Sequence, residues 1–424
     1  MIDLKKNILL ASALALAFAS VSDLAAGLAW LGLILAGVGA WWSQRGQRPE
    51  AADLGPAWQA ARLWWWASVL SWALMMLVTA YWGGPWPERH AQWRLLLGAL
   101  GLLCLVRYGR WSPMALRWLG HAAAATLCLA MLMTLWVGTD HTPSNRIPWM
   151  AGLSLLGLAL LGWAHQAHLA TLAVRRWWWL ASLSTVLTAL VSGVRGSWGL
   201  LLIWPLCAAI LHRQGPAVWR WSWRRSLALV GGLSLVLVLS HPFLAPANRP
   251  VDRLVQMFSE SGVLGAKAVD SNSSTGSRLL MYQAGLREVL ENPSWLGLGH
   301  DEHMRRLKQH LQEHSPELVD VIGHYHSDGL NAWVEFGWVG LMAYLITPLA
   351  LIAMGLRLFW RQEQASAAVL WSLCASYAMT GLSNMNMAHN YFPVMVSLSV
   401  SLVLLGLHPR NRCKPLGPDA QMPR

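Results

Sequence analysis

Long apolar runs joined by short polar connections make up most of this chain. Twelve of these runs are long enough, or nearly so, to cross a membrane core of about 30 Å as helices of about 20 residues each. They lie near residues 5–22, 24–42, 64–82, 93–107, 113–137, 147–167, 174–192, 197–212, 226–245, 329–356, 365–384 and 388–407. The pattern therefore predicts an all-α polytopic membrane protein with about 12 transmembrane helices.

One polar segment, residues 246–328, interrupts this pattern between the ninth and tenth runs. Apolar residues at helical spacing predict a helix inside it that starts after Ser277 and ends at Asn292-Pro293, where the proline cannot continue a helix. The predicted organisation is transmembrane helices 1–9 in residues 1–245, a large and partly helical loop in 246–328, helices 10–12 in 329–407 and a tail in 408–424. Such a loop usually carries the chemistry while the helices hold it in place.

The distribution of positive charge predicts the orientation of these helices. Of the 32 Lys and Arg residues, 20 lie on the side of the two termini, and the short loops of the opposite side contain four. Because Lys and Arg in short loops favour the cytoplasmic side, both termini are expected there and the large loop on the outer side. The net charge of +12 is thus explained by topology, and no nucleic-acid partner is expected.

Composition agrees with a protein surrounded by membrane lipids. Hydrophobic residues make up 55% of the chain and charged residues 12%, whereas a soluble domain has about 25% charged residues. Many of the 29 Trp residues cluster near the ends of apolar runs, where their amphipathic rings favour the interface.

A transporter is the first alternative for such a chain. Ion-coupled carriers keep ionisable residues near the middle of the membrane, and these are almost absent from the apolar runs here. Glu335 is the main acidic exception, about two and a half turns inside the tenth run. Since polar groups collect on one face, chemistry at the membrane surface is favoured over transport.

Two arginines lie where helices are expected to begin on the outer side. Arg195 stands between the seventh and eighth runs, with Ser197 able to cap the next helix, and Arg278 follows the predicted cap Ser277. A cation is disfavoured at a helix N-terminus, so a bound anion such as a diphosphate would offset the charge. The alternative for Arg195 is a side chain that only reaches the interface.

His324 and His326 lie just before the tenth run, where Ser327 or Asp328 is expected to cap the helix. A histidine there is able to accept a proton at neutral pH, although most surface histidines are inert. No third metal ligand stands at a diagnostic spacing and no Asp-x-Asp occurs, so no metal is expected. The remaining loop histidines are interpreted as solvated faces of a charged helix; they are His300, His303, His310 and His314.

The order of these motifs resembles the O-antigen ligase/polymerase superfamily of bacterial membrane glycosyltransferases. The segment from His326 through Leu330, Glu335, Gly337 and Gly340 is similar to its HN-x-x-L pattern followed by E-x-G-x-x-G. Ser327 stands where the family usually has Asn, so a role for that amide is not carried over. The resemblance covers about residues 185–400.

The resemblance implies a multi-pass glycosyltransferase of the bacterial inner membrane with its active site on the periplasmic side. Such an enzyme takes a glycan from an undecaprenyl diphosphate carrier and joins it to a sugar hydroxyl. In an O-antigen ligase of lipopolysaccharide biosynthesis the acceptor is lipid A–core; in a polymerase it is another carrier-linked glycan. A protein-glycosylating oligosaccharyltransferase is a third possibility. About twelve spans with one dominant late loop favour the ligase.

The resemblance also implies roles for particular residues. Arg195 and Arg278 would grip the diphosphate leaving group without a metal or other cofactor. His326 would remove the acceptor proton in an inverting displacement, with His324 either orienting it or acting as the base itself. Arg89 and Arg146, on neighbouring outer loops, would contact phosphates of either lipid substrate.

Overall fold

The computed structural model describes residues 4–44, 55–83, 91–109, 111–138, 141–166, 168–214, 274–320 and 322–407. Within these ranges the chain forms α-helices and short 3₁₀ turns, and no strand. The helices are α1 Leu4–Ala17, α2 Asp23–Gln44, α3 Pro56–Trp82, α4 Gln92–Tyr108, α5 Pro113–Trp136, α6 Arg146–Ala164, α7 Leu172–Val191, α8 Leu200–Gln214, α9 Ser274–Glu291, α10 His300–His314, α11 Asp328–Trp360, α12 Gln364–Ser383 and α13 Tyr391–Gly406.

The apolar pattern corresponds closely to these helices. Helices α1–α8 and α11–α13 coincide with eleven of the twelve predicted runs, and the ninth run, 226–245, lies outside the described residues. Six of the helices, α2, α3, α5, α6, α11 and α12, are long and apolar enough to cross a membrane. The all-α part of the prediction is confirmed, and these helices identify a multi-pass membrane protein.

Helices α6 and α13 form the centre of the bundle. Every residue of α6 from Pro148 to Ala164 is buried, and so is all of α13. Gly152 lets the two helices approach, since a Cβ there would lie 2.9 Å from side-chain atoms of Met395 and Tyr391. Small residues permit such close packing between helices that lipid alone would not drive together. This central pair fixes the positions of the surrounding helix ends.

Helix α11 is broken at Gly337, whose φ of +66° and ψ of −157° are not helical. The segment 294–299 fills the break with backbone hydrogen bonds, and these join Leu298 N to Val334 O, Gly299 N to Glu335 O, Trp338 N to Ser294 O and Val339 N to Trp295 O. The backbone groups released by the break are therefore satisfied from outside the helix. The tenth run is thus two helical segments, and Glu335 lies in the last turn of the first, two residues before the break.

The two glycines at this junction leave no space for a side chain. A Cβ on Gly337 would lie 2.4 Å from the Gly297 nitrogen, and a Cβ on Gly297 would lie 2.4 Å from the Gly337 nitrogen. Both residues also have positive φ, which L side chains rarely adopt. The junction therefore depends on glycine at both positions.

Gly337→Ala is expected to destabilise the protein, because it adds backbone strain of about 1–3 kcal/mol to a direct steric collision. The melting temperature of the detergent-purified protein should fall clearly. Gly27→Ala in α2 is the matched control, since a Cβ there meets nothing within 4 Å. Equal melting temperatures for the two variants would contradict the described junction.

A second, smaller apolar core supports the segment before α11. It is formed by Met281, Ala284, Val289, Leu307, Leu311, Ile322, Tyr325 and Val334. In α10 the buried residues His303, Leu307 and Leu311 recur every four positions, so one face of this charged helix points into that core. The prediction that His303 is solvated is therefore wrong: its exposed fraction is 1%.

Candidate functional site

Three of the predicted motifs meet at the C-terminal end of α12. Gly196 packs there, because a Cβ on it would lie 2.4 Å from Ser383 Oγ. From α9, the Tyr282 hydroxyl donates to the carbonyl oxygen of Leu382. From the segment before α11, the imidazole of His326 hydrogen-bonds Asn384. The structure thus brings the Arg195 turn, the start of α9 and the histidine segment to one end of the bundle.

His326 is held in an unusual backbone conformation. Its φ is +50°, a value that residues other than glycine rarely adopt. Its N–H donates to His324 Nδ1 at 3.0 Å, and its carbonyl accepts from the Tyr282 hydroxyl at 3.3 Å. The Nδ1 atom of His326 is buried and has no hydrogen-bond partner among the described residues. Such local strain is typical of functional sites, where the surrounding structure maintains it.

Both histidines are kept neutral by their surroundings. Burial, followed by the charges of His324 and Arg278, lowers the pKa of His326 to about 3, against an opposing hydrogen bond between the ring and Asn384. Burial also lowers the pKa of His324 to about 4, with His389 and Arg278 acting in the same direction. At neutral pH each ring therefore has a nitrogen with an available electron pair. Because His324 Nδ1 already accepts the His326 N–H, the two rings are not equivalent.

These lowered pKa values predict that acid destabilises the protein. In the unfolded chain a histidine has its ordinary pKa of about 6.5. Below that pH the unfolded state therefore binds more protons than the folded state, which favours unfolding. Stability should therefore fall as the pH is lowered from about 6.5 towards 4 and 3. Melting temperatures across this range should show a smaller decrease for His326→Asn than for the natural protein. Identical pH profiles would contradict the burial of a neutral His326.

The arginines are placed differently from the sequence prediction. Arg278 is the fifth residue of α9, which extends back to Ser274, so it is not in the first turn of the helix. It is partly buried, and its charge acts on both His324 and His326. Arg195 begins a one-turn 3₁₀ helix that ends at Ser197, and α8 starts only at Leu200, so Ser197 does not cap α8.

The remaining predicted arginines are only partly covered by the structure. Arg146 is exposed and begins α6, after the cap Asn145 whose side chain accepts from Ile147 N at 3.1 Å. Ile147 also borders Gly196, so Arg146 lies on the same side of the bundle as the Arg195 turn. Arg89 and the side chain of Arg195 lie outside the described residues.

Two residues of the site were missed by sequence reasoning. Asn384 is 2% exposed and its Nδ2 donates to Asn386 Oδ1 at 3.2 Å, which fixes the amide that contacts His326. Asp328 is also buried, and its Oδ1 accepts from Met387 N at 3.0 Å, joining the start of α11 to the turn after α12. The signals in the sequence were the polar character of Asn384 at the end of the eleventh run and the position of Asp328 at the expected start of the tenth helix. The expected cap of α11 is confirmed as Ser327, whose Oγ accepts from Leu330 N.

A polar chain extends from the histidine segment to α10. Asn331 Oδ1 accepts from Tyr325 N at 3.5 Å, and Asn331 Nδ2 donates to Glu335 Oε2 at 3.0 Å. Glu335 Oε1 lies 3.0 Å from Nδ1 of His300. The motif from Leu330 to Gly340 thus positions the segment that contains His326, because Asn331 joins the backbone of Tyr325 to Glu335.

Comparison with known proteins finds one family match. Residues 180–345 match the family model described as O-antigen ligase. The matched range contains Arg195, Arg278, His324, His326 and the break in α11, whereas Asn384 lies beyond it. No curated protein sequence matches the chain. The family match confirms the resemblance that the motifs indicated.

Proposed function

We propose that this chain, whose residues 180–345 match the family model described as O-antigen ligase, acts as an O-antigen ligase. It would transfer a glycan from undecaprenyl diphosphate to a sugar hydroxyl of lipid A–core, on the periplasmic face of the bacterial inner membrane. The observation that carries this proposal is the meeting of a neutral, partly buried His326 with the charge of Arg278 at one end of the bundle.

His326 would serve as the general base. As the acceptor oxygen forms its bond to the anomeric carbon, the hydroxyl proton passes to the imidazole and the bond from that carbon to the diphosphate oxygen breaks. A single displacement of this kind inverts the configuration at the anomeric carbon. The hydrogen bond between the ring and Asn384 orients His326, and its Nδ1, which has no hydrogen-bond partner among the described residues, offers an electron pair.

His324 fits the role of a positioning residue. Its Nδ1 accepts the backbone N–H of His326 at 3.0 Å, and the two ring centroids are 4.2 Å apart. That hydrogen bond supports the strained backbone at His326 and uses the nitrogen that a base would need. The geometry therefore favours His326 over His324 as the proton acceptor.

The arginines would stabilise the leaving group. The diphosphate oxygens gain negative charge as the sugar–phosphate bond breaks, and a guanidinium fork placed in advance lowers the energy of that state. Arg278 would supply one fork and Arg195 a second, with Arg146 and Arg89 contacting phosphates further out. A bound diphosphate would also raise the pKa of His326 from about 3 towards the working pH, since a nearby anion favours the imidazolium.

The acceptor is what separates the ligase from the polymerase, and the surface glycolipids of cells lacking the protein test it directly. Loss of all polymer on lipid A–core is expected, with carrier-linked polymer accumulating. Lipid A–core carrying a single repeat would instead indicate a polymerase, and loss of glycan from protein an oligosaccharyltransferase. An unchanged glycolipid and glycoprotein profile with a solute trapped on one side of the membrane would overturn the proposal in favour of a transporter.

A further inference from the structure

A second cluster of functional side chains lies between α10 and the break in α11. His300, His303 and Glu335 each present a ligand atom, and these atoms lie within 4.8 Å of one another. His300 and His303 are one turn apart on α10, and Glu335 lies in the last turn of the first segment of α11. The backbone hydrogen bond from Gly299 N to Glu335 O, 2.9 Å long, sets the distance between the two helices.

The ligand atoms are oriented by their neighbours. Nδ1 of the buried His303 lies 3.2 Å from Gly299 O. The tautomer that donates this hydrogen bond carries the lone pair on Nε2, which is the arrangement usual for metal-binding histidines. Glu335 is 4% exposed, and the Asn331 amide holds its Oε2 at 3.0 Å while Oε1 faces His300. Partners of this kind orient the side chains that bind a metal ion directly.

We propose that His300, His303 and Glu335 bind a divalent transition-metal ion, with Zn²⁺ the best match. Two imidazoles and one carboxylate suit Zn²⁺, whereas Mg²⁺ and Ca²⁺ prefer oxygen ligands. Bonds of about 2.0–2.1 Å place tetrahedral ligand atoms roughly 3.3 Å apart, so small side-chain movements from the described positions suffice. The His300 side chain is 36% exposed, which leaves a path for the ion and room for a water as the fourth ligand.

The ion would act as a structural link between α10 and α11. It would fix Glu335, which through Asn331 holds the backbone of Tyr325 directly before His326. A positive ion beside a buried carboxylate also lowers the cost of that buried charge. The site is separate from the proposed transfer chemistry and does not depend on it.

Binding of Co²⁺ to the tag-free, chelator-treated, detergent-purified full-length protein tests the site. Co²⁺ reports tetrahedral coordination through its visible absorption, and Zn²⁺ should displace it. We expect one such Co²⁺ per chain in the natural protein. Glu335→Gln, which keeps the size of the side chain, should weaken binding by about tenfold or more. His303→Ala should do the same.

His314→Ala is the matched control, since this exposed histidine of α10 stacks on His310 outside the cluster. It should bind Co²⁺ as the natural protein does. If His314→Ala lost the signal and Glu335→Gln kept it, the ion would be bound by His310 and His314, and the proposal would be overturned. Absence of a tetrahedral signal from the folded natural protein, verified by its melting transition, would overturn it as well. Glycan transfer is measured separately, so failure of the proposed function leaves this result unaffected.

Discussion

His326→Ala is expected to lower the rate of glycan transfer by about 10²–10⁴-fold, which is the usual contribution of a general base. The acceptor hydroxyl is a poor nucleophile unless its proton is removed, and the His326 imidazole is the group oriented for this by Asn384. The purified variant would be assayed with a carrier-linked glycan and lipid A–core. Binding of the carrier lipid should persist, because the arginines are unchanged.

The positive φ of His326 requires a second variant. Alanine is strained at φ +50°, whereas asparagine tolerates this region, so His326→Asn preserves the backbone while removing the base. It should show the same loss of rate with an unchanged melting temperature at neutral pH. His324→Ala should cost less, and His141→Ala, a change at an exposed loop residue, should cost nothing. A folded His326→Asn protein with full activity would exclude His326 as the base and leave His324 as the next candidate.

Arg278→Lys is expected to lower the transfer rate by about 10²–10³-fold, the typical effect of removing one donor that stabilises developing negative charge. Lysine keeps the charge but lacks the planar fork that binds two phosphate oxygens at once. Arg195→Lys should behave in the same way. In both variants the loss should appear in kcat as well as in KM, because the arginines act on the leaving group.

A matched control for Arg278 lies on the same helix. Arg287 in α9 is largely exposed, and it pairs with Glu291 at 2.8 Å. Arg287→Lys should therefore transfer glycan at the natural rate. If Arg278→Lys retained the activity of Arg287→Lys, a point charge would be sufficient and the proposed fork would be wrong.

Much of the candidate site was accessible from the sequence because its motifs are short and local. Gly196 beside Arg195, the segment after Ser277, and His324 with His326 stand out as polar positions among apolar runs. Their convergence at Ser383 and Asn384 was not accessible, since contacts between residues far apart in sequence are set by helix packing. The cluster that we propose binds a metal ion was missed for the same reason: Glu335 lies in another helix from His300 and His303.

The boundaries of the helices show where local rules fail. Arg278 was expected in a first turn, yet α9 extends back to Ser274, because capping preferences are weak and tertiary packing overrides them. The unbroken tenth span was also expected from its apolar composition. Its break depends on backbone hydrogen bonds from residues 294–299, which a hydropathy pattern does not report.

The sequence by itself determined the all-α character, the positions of most helices and the resemblance to the O-antigen ligase family over residues 180–345. A membrane core offers no water to unpaired backbone groups, so each long apolar run must form a helix regardless of its neighbours. Only the tertiary structure decided how α11 breaks at Gly337, how Asn384 reaches His326 and why His303 is buried. These features arise from close packing between segments that are distant in sequence. Glycines allow the backbones to approach, and buried polar groups need hydrogen-bond partners, so one arrangement is selected.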